Sequence, residues 1–379
     1  MRVDLGQWTE AAGWRFRSPA GDPAAVQLVL YFASPALCHD ISWWQALRTA
    51  YPSAKLVGCT TGGEILGSDV YDGTVVAAAI GFARARVDLR AVAIEDCATS
   101  LEVGRRLGDG LPPQGLRGVF VLSDGTRVNG SDLVRGLKEV LPDGAILTGG
   151  LAGDGDAFRS TLVGADGVPA AGMVCAIGFY GDDLNIRHGS FGGWDAFGPE
   201  RHVTRSSGNV LYELDGEPAL DLYKRYLGDE AANLPGSALL FPLRVRSDEA
   251  GSEVVRTVIG VDEERRGMIF AGDVPEGAVA QLMRGNFEHL VEGAGKAARQ
   301  AATAERDGLA ILVSCIGRKL LMGQRVAEEV EAAGEVFGAA FPAIGFYSYG
   351  EISPHDFTGS CELHNQTMTI TVLGETIRA

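Results

Sequence analysis

Hydrophobic positions in this chain gather into short runs separated by glycine-rich turns, with few long amphipathic stretches between them. Residues 26–33 (VQLVLYFA) are apolar and rich in β-branched and aromatic types, which predicts a buried strand. Ser34-Pro35 ends it, and residues 40–50 place Trp43, Leu47 and Ala50 on one face of a helix. Residues 54–59 (AKLVGC) predict a strand that delivers the turn Gly58-Cys59-Thr60-Thr61-Gly62-Gly63-Glu64-Ile65. Antiparallel strands over 74–82 and 86–94 and a helix over 99–108 follow.

The pattern then restarts. A strand over 118–123 and a helix capped by Asn129 or Ser131 and running to about Val140 precede a strand over 145–147. That strand ends in a turn, Gly149-Gly150-Leu151-Ala152-Gly153-Asp154, and strands at 160–163 and 172–180 come next. Composition changes between 181 and 236, with a strand and a polar, glycine-rich stretch within 184–194, strands at 202–206 and 209–213, and a helix from Glu217-Pro218 to Tyr226. Strands at 237–246, 253–261 and 266–271 and a long Ala-rich helix over 286–304 lead to a third copy. It comprises a strand over 311–315, a helix over 323–335 with its acidic face outward, a strand over 341–346 and a last strand over 366–373. Its turn reads Gly345-Phe346-Tyr347-Ser348-Tyr349-Gly350-Glu351-Ile352.

The unit strand–helix–strand–glycine turn–strand therefore starts near 26, 118 and 309, at the length of a supersecondary repeat. Duplication in a mixed α/β (α+β) fold is expected, with mostly antiparallel sheets flanked by helices and a pocket at the strand-end turns. A boundary near 181–190 divides 25–185 from 186–379. Glycine turns at strand ends bring exposed backbone and small hydroxyls together, so Cys59, Thr60, Thr61 and Glu64 and their repeats Tyr347, Ser348 and Glu351 are candidate ligand contacts. The same residue types also satisfy backbone groups in ordinary turns.

Composition narrows the chemistry. The net charge of −16 argues against non-specific nucleic-acid or anionic-membrane binding, while leaving room for a small anion in a locally basic pocket. No apolar run is long enough to cross a membrane, and Met1–Gly6 lacks a basic-then-apolar leader, so a cytoplasmic protein is expected. Six scattered cysteines without a CxxC suit reduced thiols. Cys361 and His364 are close enough in sequence to share a metal, but no second pair has matching spacing; Cys38-His39 is a similarly weak pair. His188 lies near Phe191 and Trp194, which suits either an aromatic ligand or packing at a domain edge. There is no GxSxG elbow, no full GxGxxG and no phosphate loop.

The ordered motifs resemble the FIST family. They are Gly58 to Ile65, Gly149 to Asp154, Gly192-Gly193-Trp194 through Gly198-Pro199, Gly208 to Gly216, Ala271 to Gly277, Ser314 to Arg318, Gly345 to Ile352, and Glu362-Leu363-His364-Asn365-Gln366-Thr367. The resemblance implies a FIST N-terminal domain over 25–185 and a FIST C-terminal domain over 186–379. It further implies a signal-input module for small ligands such as amino acids or their derivatives. Without an output domain, the chain would act in trans on a histidine kinase or another signalling protein, and self-association stays open.

Some stand-alone members are similar to haem-binding nitric-oxide sensors, which makes His364 the candidate axial ligand, Asn365 a neighbouring contact, and Phe346, Tyr347 and Trp194 an apolar wall. His188 and His202 lie outside the matched positions. Three readings stand together: a ligand sensor without catalysis, an enzyme with Cys315 or Cys59 as nucleophile assisted by Glu351 or Glu64, and a scaffold with a vestigial pocket.

Overall fold

The fold is described from a computed structural model, over residues 1–17, 22–247, 253–303, 308–355 and 359–376. The first unit comprises β1 (Arg2–Thr9), β2 (Gly13–Phe16), β3 (Leu28–Ala33), α1 (Ser42–Ala50), β4 (Lys55–Thr60), β5 (Glu64–Leu66), β6 (Asp69–Tyr71) and β7 (Val75–Gly81). The second comprises β8 (Arg86–Ala93), α2 (Ser100–Asp109), β9 (Leu116–Ser123), α3 (Gly130–Val140), β10 (Ile146–Leu151), β11 (Val163–Ala165) and β12 (Met173–Tyr180).

The third unit opens with β13 (Leu184–Phe191) and is then interrupted by a separate antiparallel sheet. That inserted sheet holds β14 (Trp194–Ala196), β15 (Arg201–Ser207), β16 (Val210–Leu214), β17 (Glu217–Pro218), β18 (Leu243–Arg246), β19 (Glu253–Arg256), β20 (Val258–Asp262), β21 (Gly267–Phe270) and β22 (Val279–Gly285), with α4 (Ala219–Leu227) packed on it. The third unit resumes with α5 (Phe287–Ala301), β23 (Gly308–Cys315), α6 (Ile316–Met322), α7 (Ala327–Phe337), β24 (Ala343–Ser348), β25 (Gly350–Pro354), β26 (Cys361–His364) and β27 (Met368–Glu375).

The three units share one wiring. In each, two strands joined through a helix run parallel (β3 with β4, β9 with β10, β23 with β24), and the last strand returns antiparallel to the first of them. The outer edge of every unit is completed by a strand from another. β11 pairs with β4, β25 with β10 and β5 with β24, so the units exchange strands in a closed cycle.

The apolar alternation along the central strands explains how the units pack. Leu28, Leu30 and Phe32 of β3 face a shared centre with Phe120 and Leu122 of β9, Ile311 and Val313 of β23, and Phe346, which stacks on Phe32 at 4.5 Å between ring centroids. The intervening Val29, Tyr31 and Ala33 face outward onto Trp43 and Leu47 of α1. Both faces of these strands are buried, which is why their sequences read as unbroken apolar runs. Each large apolar side chain so buried stabilises the fold by about 1.5–3 kcal/mol relative to exposure.

The mixed α/β class and the three starts near 26, 118 and 309 match β3, β9 and β23. Several local expectations shift. The strand expected at 160–163 forms at Val163–Ala165, where it can reach β4. Only Leu243–Arg246 of 237–246 is a strand, because 3-10 turns occupy Gly236–Leu240. The helix expected over 323–335 is α7, preceded by the additional α6; the last position of the helix expected over 286–304 lies outside the described residues.

Candidate functional site

At the carboxyl ends of the parallel strands the three glycine turns meet. Gly58, Gly149 and Gly345 sit opposite Tyr31, Val121 and Leu312 in register. A Cβ at any of the three would lie 2.0 Å from the carbonyl oxygen of that partner. Glycine is therefore required by close strand approach, and the repeat follows from it. Beyond these glycines the turns bond to one another: Gly62 N–H donates to Tyr347 O (2.8 Å), Tyr347 N–H to Gly63 O (2.9 Å), Gly153 N–H to Thr60 O (3.0 Å) and Tyr349 N–H to Leu151 O (3.1 Å).

The side chains expected to bind a ligand are drawn into this junction. Glu64 accepts from Thr61 Oγ1 at 2.6 Å and from the backbone N–H and hydroxyl of Thr74 at 3.1 and 3.0 Å. Glu351 repeats the arrangement with Ser348 Oγ at 2.5 Å and with Thr367 at 3.2 and 2.9 Å. Burial pushes the Glu64 carboxyl up to about 7 and Glu351 to about 8, against the opposing pull of those hydrogen bonds.

Thr60 Oγ1 accepts from Leu162 N–H, and Tyr347 OH donates to Glu329 at 2.9 Å. Glu329 also takes Ser314 Oγ and forms a fully buried ion pair with Arg318. Asn365 Nδ2 donates to Tyr349 O at 3.4 Å, while its Oδ1 is buried without a partner among the described residues. Cys59, Thr60, Thr61, Glu64, Tyr347, Ser348, Glu351, His364 and Asn365 are all buried. Among the described residues, neither the cleft between α3, the inserted sheet and β26 nor the one walled by Arg17, Ser68 and Phe337 is lined by any of them.

The haem expectation meets a physical obstacle at each named residue. His364 is buried with Nε2 3.0 Å from Ser353 O, and its ring stacks on His355 at 6.1 Å. Burial, with Arg256 and His355 nearby, lowers its pKa to about 4, so the ring is neutral and donates to that carbonyl. Phe346 is spent on Phe32, Tyr347 on Glu329, and Trp194 Nε1 on Gln366 O at 2.9 Å. These residues do not assemble a haem pocket. Cys361 and His364 are three apart on one strand and so point to opposite faces, which removes them as a shared metal pair. Among the described residues no cluster of three or more His, Cys, Asp or Glu is placed to hold a metal.

The cysteine nucleophiles fare no better. Cys59 and Cys315 are fully buried, and burial raises both thiols well above their ordinary value, opposite to the activation a nucleophile needs. His188 lies on β13 opposite Thr371, and His202 is exposed on β15 opposite Val279.

A different set of residues forms an open site. A cavity of about 280 Å³ lies between α3, the inserted sheet and β26, with Ser131, Arg135, Lys138, Ser247, Arg256, Asp273 and Glu362 among the residues that line it. Asn129 caps α3 through the Asp132 N–H and also donates to Asp273 Oδ1 at 2.8 Å, tying the helix start to the inserted sheet. Arg135 reaches Asp273 at 3.2 Å from the next turn of α3.

Arg256 is 6% exposed, and its Nε and Nη1 donate to Asp273 O and Leu363 O, both at 2.8 Å. Burial lowers its pKa to about 10 despite the pull of Glu362 and Asp273. One sequence signal for this site exists: Arg256 alternates with Val254 and Val258 on the inward face of the chain, where a charge is out of place.

Comparison with known proteins fits this architecture. Residues 27–217 match the FIST N domain family model and residues 219–354 the FIST C domain model. An uncharacterized protein of Methanocaldococcus jannaschii is 24% identical over 359 residues, covering 83% of this chain and 67% of the relative.

Proposed function

Because the chain belongs to the FIST family, whose domains are sensory signal-transduction modules, we propose that it senses a small metabolite in the cleft between α3, the inserted sheet and β26. Binding there regulates a separate partner such as a histidine kinase. The observation that carries this reading is that the cleft draws its polar residues from both family parts: Ser131, Arg135 and Lys138 from the first, Arg256 and Asp273 from the second. A ligand held there contacts both and is able to bias their arrangement.

The reading favours an amino acid or similar metabolite over haem, because the cleft is small and carries charged side chains on an otherwise apolar wall, whereas His364 is already engaged. Haem-based sensing of nitric oxide would need another axial ligand. No catalytic step is assigned, since the buried thiols offer no activated nucleophile. Glu64 and Glu351 serve instead to hold the turns.

Thermal-shift screening of amino acids and related metabolites tests the proposal. The expected result is a hit whose stabilisation is lost in Arg135→Ala. A hit indifferent to cleft substitutions, or a Soret band after haem reconstitution that shifts with nitric oxide, would overturn it.

A further inference from the structure

Arg256 is unusual among the buried charges of this protein. The other fully buried guanidinium, Arg318, has its carboxylate in Glu329. Arg256 has none: two of its nitrogens are satisfied by backbone carbonyls, and Nη2 takes no hydrogen-bond or ion-pair partner among the described residues. Glu362 and Asp273 act on it only from beyond ion-pair distance, so its burial is incompletely compensated, and an anion in the cleft would relieve that cost.

Lys138 stands across the cleft on α3, bonded to Ser360 Oγ and likewise without a carboxylate among the described residues. Arg135 is shared between Asp132 and Asp273. Among the described residues the cationic lining of Arg135, Lys138 and Arg256 thus outnumbers Asp273 and Glu362, three to two, in a chain whose net charge is −16. A locally positive cleft on a strongly negative protein concentrates small anions.

We propose that the cleft takes a small oxyanion, carboxylate or phosphate, held between Arg256 Nη2 and Lys138 Nζ, and that the anion draws the inserted sheet onto α3. This rests on the cleft being the sensory site. The two donors belong to different bodies: Lys138 to the second unit, Arg256 to the inserted sheet. That sheet joins the rest of the chain through Gly192-Gly193, the latter at φ +94°, and through Gly285-Asn286. Much of its contact with α3 and β26 is polar, carried by Asn129, Arg135, Asp273 and Arg256, and such a seam shifts at lower cost than a packed apolar one. Charge-assisted bonds to one anion from both sides close it.

The test uses the full chain with inorganic phosphate, succinate and choline chloride, each against sodium chloride at equal ionic strength. Melting temperature and hydrogen exchange over 131–138, 253–256 and 361–363 are the readouts. Phosphate or succinate is expected to raise the melting temperature and slow exchange in those segments, with choline and sodium chloride inert. A response to phosphate alone identifies a phosphoryl ligand, and to succinate alone a carboxylate. Lys138→Met, on an exposed helix face, is expected to weaken binding about tenfold, as is Arg256→Lys.

Retained oxyanion binding in Lys138→Met overturns the assignment, as does protection by choline in place of the oxyanions or no response to any probe. If a neutral metabolite then protects the same segments, the sensory site stands and only its oxyanion chemistry falls. Failure of both screens removes the site itself.

Discussion

The second unit differs from the first and third at one point, and the difference shows what the repeated turns are for. In all three, a buried carboxylate accepts the N–H of the residue just ahead of the last strand. Glu64 takes Thr74, Glu351 takes Thr367, and Asp124 takes Gly172 at 2.8 Å. The first and third acids stand six positions beyond Gly58 and Gly345, whereas the position six beyond Gly149 is Gly155. The second unit supplies its carboxylate from the end of β9 instead. What recurs is a backbone donor stranded in a dry interior, which must be satisfied from somewhere.

The largest departure from equivalence is expected in the third unit, which adds the buried Arg318–Glu329 pair. Glu329→Ala should cost about 3–5 kcal/mol in denaturant unfolding, because it leaves the guanidinium uncompensated. A cost below about 1 kcal/mol would show the pair to be dispensable.

Next come the glycines. Gly58→Ala, Gly149→Ala and Gly345→Ala should each cost about 3 kcal/mol or more, since a methyl would overlap backbone. One tolerated substitution among the three would break the threefold equivalence. Removing the carboxylates (Glu64→Ala, Asp124→Ala, Glu351→Ala) should cost about 1–3 kcal/mol each by orphaning a buried N–H. A neutral result for Asp124 alone would separate the second unit from the others.

The last test is a pH dependence. The folded carboxyls of Glu64 and Glu351 titrate at about 7 and 8, above the ordinary 4.5. The folded state therefore holds these protons more tightly, and the stability they add is present at low pH and lost as pH rises towards those values. Wild-type melting temperature should fall relative to Glu64→Gln/Glu351→Gln between about pH 5 and 8 and run parallel to it above. Parallel curves throughout would mean that the two carboxyls titrate normally.

Much of this architecture is legible in the chain because both faces of β3, β9 and β23 are buried, so apolar runs and glycine turns stand out. The exchange of β5, β11 and β25 is not legible, since three- to five-residue strands carry little pattern and their partners lie far away in sequence. The turn residues are conspicuous for a structural reason, which singles out Glu64 and Glu351, whereas His364 enters as an axial ligand only with the family resemblance. Arg256 is a single charge in an alternating strand, and Lys138 is an ordinary surface residue of α3. Only the packing of α3 against the inserted sheet brings them to one cleft.

The cyclic exchange also governs how the chain can be made and cut. Residue 64 pairs with 346, and residue 149 with 352, so two of the three exchanges wait until most of the chain has been synthesised. Contacts of that sequence separation slow folding and bind early and late segments into one cooperative transition. A fragment stopping at residue 217, where the first family match ends, would have β10 without β25 and β5 without β24. Its open strand edges would invite aggregation, so the family boundary is a division of sequence and not a place where the protein can be divided.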